Sequence, residues 1–144
     1  MRKSKVNVDQ VTSEIIDVAI DIFSQKGYEA TNLQDVADAV GISRTPLYYH
    51  FKNKASLYEQ ATARYMQEMV QQYERVFGGD GDIFDKIRND LLLCTQQGLT
   101  EQTLFTDLAD DPDDPALKNV QKMREQTAES IYQIKYKAVT AAIR

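Results

Sequence analysis

The chain has 144 residues, 42% of them hydrophobic and 27% charged, with a formal net charge of −5. That apolar content supports one domain, or a small module joined to a partial second one, and excludes a disordered chain. A single cysteine, Cys94, excludes an internal disulfide and a thiolate zinc site, and no apolar run is long enough for a signal peptide or a membrane span, so a cytoplasmic protein without a membrane partner is expected.

Few prolines, few glycines and little alternation predict a chain that is helical nearly throughout. From Val11 on, Val11, Ile15, Ala19, Ile22 and Phe23 form one stripe of an amphipathic helix. Gly27 ends it, as glycine commonly does at a helix C-terminus. Thr31 and Gln34 then match a capping box, with Thr31 as the cap of a second helix over Leu33, Val36, Ala37 and Val40. Gly41 supplies its left-handed stop, and Ser43 is placed to cap a third helix, with Ile42 and Leu47 as its hydrophobic staple. Two helices this short are marginal alone, so the first must pack across them. The pattern is a helix-turn-helix.

A long helix is predicted from about Ala55 to Phe77, and residues 78–82, GGDGD, break it. A further helix covers Ile83, Ile87, Leu91 and Cys94 to about Gly98, and a short one spans Glu101 to Leu108. Pro112 and Pro115 interrupt the chain, and Ala116 to Arg144 reads as one last helix. The fold class is thus all-α: a three-helix helix-turn-helix module over residues 1–54, followed by a second helical part over 55–144.

Charge is spread unevenly. Residues 1–60 carry −1 and residues 61–144 carry −4, and the first part holds two basic clusters, Arg2, Lys3 and Lys5, and Arg44, Lys52 and Lys54. Residues 41–54, GISRTPLYYHFKNK, contain no acid. Local charge, not the total, meets a phosphate. With Leu47 and Phe51 turned to the core, Thr45 and Tyr49 fall on the opposite face, flanked by Pro46 and Tyr48. Arg44 suits guanine and the Thr45 methyl suits thymine. Tyr48, Tyr49, His50, Lys52 and Lys54 suit phosphates, as do the free amides of a helix N-terminus. Three such bases per subunit predict a log–log salt slope of about −5 for a dimer.

These residues resemble the TetR/AcrR (tetracycline-repressor) family of transcriptional regulators. The likeness runs over residues 15–57, through Phe23, Gly27-Tyr28, Thr31, Val36-Ala37, Gly41-Ile42-Ser43, Leu47-Tyr48, His50-Phe51 and Lys54. It implies a homodimer that sets one recognition helix of each subunit into double-stranded DNA at a near-palindromic operator. Arg44, Thr45, Pro46, Tyr48, Tyr49, His50 and Lys54 then fall on DNA-contacting positions, and Thr31 on one that meets a phosphate. It further implies that residues 1–54 are the DNA-binding domain and residues 55–144 a helical effector-binding and dimerisation domain, with release by a small-molecule effector on whose identity it is silent. Relatives usually continue past the equivalent of Arg144 with two helices that make the dimer bundle.

In the second part, Tyr65, Met66, Met69, Tyr73, Phe84, Leu91, Cys94, Phe105 and Tyr132 are the candidates for an apolar effector pocket with orienting phenols, suited to an apolar or amphipathic ligand. Each is otherwise a core residue. Cys94 lacks the electropositive setting of a reactive thiolate. Asp110, Asp111, Asp113 and Asp114 lack the EF-hand spacing and read as a solvated turn that caps the last helix. One histidine, on the recognition helix, and the absence of G-x-S-x-G or a glycine-rich phosphate loop argue against an enzyme, and no cofactor or metal is expected. The competing reading is a small-molecule-binding or protein-interaction module that keeps this fold without operator binding; acid exclusion over residues 41–54 favours the regulator.

Overall fold

The computed structural model describes residues 2–106, 108 and 112–144, with side chains from residue 9 on. Six α-helices and no strands are found among them. Helix α1 (Arg2–Lys26) starts nine residues before the predicted Val11, on a polar stretch that carries no apolar stripe to announce it. The backbone of the basic tail therefore belongs to α1, and the Arg2, Lys3 and Lys5 side chains lie outside the described residues. Its stripe is buried as expected, with Ile15, Ala19 and Phe23 fully inaccessible.

The start of α2 (Leu33–Val40) differs from the sequence expectation by one residue. Asn32, not Thr31, is the cap: its side chain accepts from the Asp35 backbone N–H at 2.9 Å, and Asp35 accepts from the Asn32 N–H at 3.1 Å. Thr31 is turned inward instead, its hydroxyl donating to the Gly27 carbonyl at 2.7 Å. That hydroxyl satisfies a carbonyl left open at the end of α1, so it has no share in capping α2. Gly41 closes α2 at φ 83°, where a side chain is strained.

Helix α3 (Arg44–His50) follows at once; Ser43 occupies its N-cap position without a side-chain hydrogen bond. Leu47 and the following Phe51 are locked in the core, and Ile42 packs against it. Helix α4 (Lys54–Gly78) is capped by Asn53, which accepts from the Ser56 N–H at 2.8 Å. Helix α5 (Ile83–Phe105) is a single helix where two are predicted. Gly98 lowers helix propensity by about 1 kcal/mol but lacks the positive φ that stops a helix. Helix α6 (Pro115–Ile143) opens with Pro115 behind the cap Asp114, which accepts from the Ala116 N–H at 2.8 Å. The aspartate turn thus caps α6 through Asp114; Asp110 and Asp111 lie outside the described residues.

Helix α4 organises the molecule. It packs along α6 and against α1 and α5, and α1 in turn packs on α2 and α5. One apolar core runs from Ile15 through Leu47, Leu57 and Met69 to Leu104 and Val120. Tyr58, fully buried, meets Phe23 edge-on at 5.1 Å and donates its hydroxyl to the Leu104 carbonyl at 2.8 Å. Arg64 reaches back from α4 to Ser13 and to Asp17, the latter at 3.0 Å. These bonds tie α4 to α5 and to α1.

Candidate nucleic-acid interface and effector cavity

Burial of Leu47 and Phe51 forces the rest of α3 outward, because residues two positions from a buried one on a helix face away from it. Ser43, Arg44, Thr45, Pro46 and Lys52 are exposed, as are Tyr48 at 48% and Tyr49 at 82%. The exposed face combines hydroxyls, two phenol rings and bases without an acid of its own. Its far end is fixed by His50, whose Nδ1 lies 3.1 Å from the Thr12 hydroxyl of α1, with the Tyr49 ring edge-on at 5.3 Å.

Beside α3 lies a groove of about 320 Å³ lined by Thr31, Asn32, Gln34, Arg44, Tyr48, Asn53 and Lys54, with Leu33. The starts of α2 and α4 both border it. Arg44 donates from Nε to the Gln34 amide oxygen, which aligns the guanidinium along the mouth. Asn32, Gln34 and Asn53 are absent from the sequence candidates; only their closeness to two helix starts could have pointed to them. The Asn32 N–H first, and then Lys26 at 3.3 Å, hold the Asp35 carboxyl below the usual carboxylate range. Asp35 is thereby paired next to the groove.

Besides His50, which bonds to Thr12 instead of standing free for a phosphate, two more candidates are placed otherwise than expected. Thr31 borders the groove, but its side chain is 2% exposed and its hydroxyl serves Gly27. Lys54 donates to the Tyr28 carbonyl at 2.9 Å and sits 4.3 Å from the centre of the Tyr28 ring. It clamps the start of α4 onto the α1–α2 loop, and so positions the groove it lines.

A second cavity, of about 450 Å³, opens between α5 and α6 over α4. Met66, Met69, Tyr73 and Phe105 line it, in agreement with the sequence candidates. The other five do not. Phe84 at 73%, Leu91 at 64% and Tyr132 at 58% are exposed, because α5 makes few contacts along its first turns and Tyr132 lies off the α4-facing side of α6. Cys94 is exposed too, touching the Tyr73 hydroxyl at 3.3 Å. Tyr65 stands against Phe105 and borders a separate crevice with Ile20 and Leu99; burial, then the charge of Glu101, pushes its phenol up to about 12. The cavity also takes Glu101 from α5 and Gln121, Arg124, Thr127 and Ile131 from α6. Sequence reasoning missed these, since nothing in α6 alone says which side faces α5. Among the described residues no cluster of metal-ligating side chains forms, and no helix is long and apolar enough to cross a membrane.

Residues 15–61 match the family model described as bacterial regulatory proteins, tetR family. Over 48 residues the chain is 54% identical to the biofilm operon icaADBC HTH-type negative transcriptional regulator IcaR of Staphylococcus aureus, covering 33% of this chain and 26% of that one. Over 104 residues it is 31% identical to the HTH-type transcriptional regulator AcrR of Shigella flexneri, covering 70% of this chain and 47% of that one. The chain thus spans between about a quarter and a half of these relatives. In fold it is similar to a TetR-family transcriptional regulator from Agrobacterium tumefaciens, with a TM-score of 0.73 at 15% identity over 93% of this chain and 74% of that one. A gamma-butyrolactone receptor (ArpA-like protein) superposes with a TM-score of 0.54 at 19% identity, over 96% of this chain and 81% of that one.

Proposed function

We propose that this chain, whose residues 15–61 belong to the tetR family of bacterial regulatory proteins, is a ligand-responsive transcriptional repressor that binds a near-palindromic operator as a dimer. The observation that carries the reading is the outward face of α3. Arg44, Thr45, Tyr48 and Tyr49 stand exposed on a helix whose other side is pinned by Leu47 and Phe51. Arg44 and Thr45 read base edges, while Tyr48, Tyr49, Lys52 and the amides bordering the groove hold phosphates. His50 fixes the angle of α3 through Thr12. Residues 1–54 act as the DNA-binding domain and 55–144 as the effector and dimerisation domain.

Control follows from α4. One end carries the Lys54 clamp beside the groove, and further along it supplies Met66, Met69 and Tyr73 to the floor of the 450 Å³ cavity. A ligand that prefers a shifted α4 changes the spacing of the two recognition helices and releases DNA; one with equal affinity for both arrangements releases nothing. Leu91, Leu92, Tyr132 and Tyr136 remain exposed on α5 and α6, and are of the kind a dimer interface buries.

Selection of bound sequences from a random duplex library at two salt concentrations tests the reading. An enriched inverted repeat is expected. Its absence with folded, dimeric protein would favour an interaction module instead. Lys52 as the basic phosphate contact gives a dimer a salt slope of about −2, and a measured slope near about −5 would add Arg44 and Lys54 to the phosphate contacts. A slope near zero would rule out the electrostatic part.

A further inference from the structure

The effector cavity presents two opposite charges that do not meet. Glu101 stands on the α5 wall and Arg124 on the α6 wall. Among the described residues neither forms a salt bridge or a hydrogen bond, so the pair straddles the opening without closing it. Arg124 is held at the rim by the Phe105 ring, 4.5 Å from its guanidinium carbon, and is exposed, whereas Glu101 is partly buried. Burial pushes the Glu101 carboxyl above its ordinary range, and the charge of Arg124 pulls it back. The Glu101 carboxylate is partly withdrawn from water and has no protein donor among the described residues, so a ligand donor can replace the hydration it has lost. Between and below the charges lie Met66, Met69, Tyr73, Phe105 and Ile131, an apolar floor with polarizable thioethers.

We infer that the cavity takes an amphipathic zwitterion, with an ammonium group against Glu101, a carboxylate against Arg124 and an apolar body on the α4 floor. This rests on the effector reading above and adds the charge type of the ligand. A singly charged ligand leaves one of the two wall charges unmatched, and a neutral one leaves both. Glu125 on the α6 wall is exposed and stays in water, so it does not replace Glu101 as the partly buried partner. Because the two charges come from different helices, a bridging ligand draws α5 and α6 together over α4, the helix that reaches the DNA-binding module.

The test uses two probe sets in calorimetric titrations of the full chain: phenylalanine, phenethylamine, 3-phenylpropionate and 2-phenylethanol, and the corresponding alkyl compounds, 2-aminodecanoate, nonylamine, decanoate and 1-nonanol. The zwitterion of at least one set should bind at least about tenfold more tightly than either singly charged member, as charge-assisted hydrogen bonds require. In Glu101→Gln the zwitterion should fall to the level of the carboxylate probe, and in Arg124→Gln to that of the amine. Thermal melts should place Glu101→Gln at or above the parent, since the change removes a partly desolvated charge, and Arg124→Gln no more than slightly below it, since only the Phe105 ring contact is lost. No zwitterion preference in either set, or variants that weaken all four probes alike, would overturn the inference. Operator binding is measured on the same samples: loss of DNA binding in the parent sinks the regulator reading, whereas DNA binding without the charge pattern sinks only this one.

Discussion

In the N-terminal module the apolar residues are spent on the interior: Ile15, Phe23, Val36 and Leu47 are fully buried, and what remains outside α3 is polar or aromatic. Along α5 the order is reversed. Phe84, Leu91, Leu92 and Leu99 lie at 60% exposure or more, and the buried residues are only Leu104 and Phe105 near its end. The module is a closed core with a functional face, whereas the second part is a core around α4 and α6 with an apolar flank left open. An open apolar flank of this kind marks a surface that works against a partner. On the proposed function the two halves therefore carry different signatures: exposed polarity on a rigid helix in one, and exposed apolarity together with unpaired charges in the other.

The contrast is broken most severely at Phe51. Its replacement by Ala should cost about 3–5 kcal/mol in denaturant unfolding and abolish DNA binding, because α3 loses its anchor. Leu91→Ala should change stability by less than about 0.5 kcal/mol at a concentration where the chain is monomeric. Equal effects at the two positions would erase the distinction. Next in size, Arg44→Ala should relax base preference at one operator position by about 1–3 kcal/mol while leaving the unfolding midpoint unchanged, measured by binding to single-base operator variants.

Smaller changes probe the joint between the regions. Tyr58→Phe removes the donor to the Leu104 carbonyl and should destabilise by about 1–2 kcal/mol in chemical unfolding. Asn32→Ala should lower the unfolding midpoint through loss of about 1 kcal/mol of capping, whereas Gln34→Ala, at the position the sequence favoured, should lower it less. The last effect is confined to alkaline solution. The Tyr65 phenol is raised from 10.0 in the unfolded chain to about 12 in the fold. Its contribution is thus fully present below about pH 10 and lost as pH rises toward about 12. Tyr65→Phe should flatten that part of a stability-against-pH curve; an unchanged curve would show that the phenol is not desolvated.

Much of the DNA-binding module was legible because its signals are local. Helix periods, the Gly41 stop and the Leu47–Phe51 spacing act within a few residues, so chain order alone placed the outward face of α3. The Thr31 cap was misplaced because two adjacent residues could cap, and the deciding fact was the free Gly27 carbonyl next to Thr31, which needs the turn to be folded. Lys54 was assigned to phosphate for its charge, yet its bonds to Tyr28 come from a loop 26 residues away. In the second part, periodicity named an apolar stripe on α5 without saying whether it would be covered, and named none on α6.

The sequence by itself determined an all-helical chain, the helix-turn-helix and the residues that face outward from its third helix, since those follow from hydrogen-bonding patterns and hydrophobic spacing along one segment. Only the tertiary structure decided that Met66, Met69, Tyr73 and Phe105 share a cavity, that Cys94, Leu91 and Tyr132 do not, and that Glu101 and Arg124 face it from opposite walls. Which side of a helix is covered depends on where its neighbours stand, and that is set by the packing of α5 and α6 around α4, not by the pattern of any one helix.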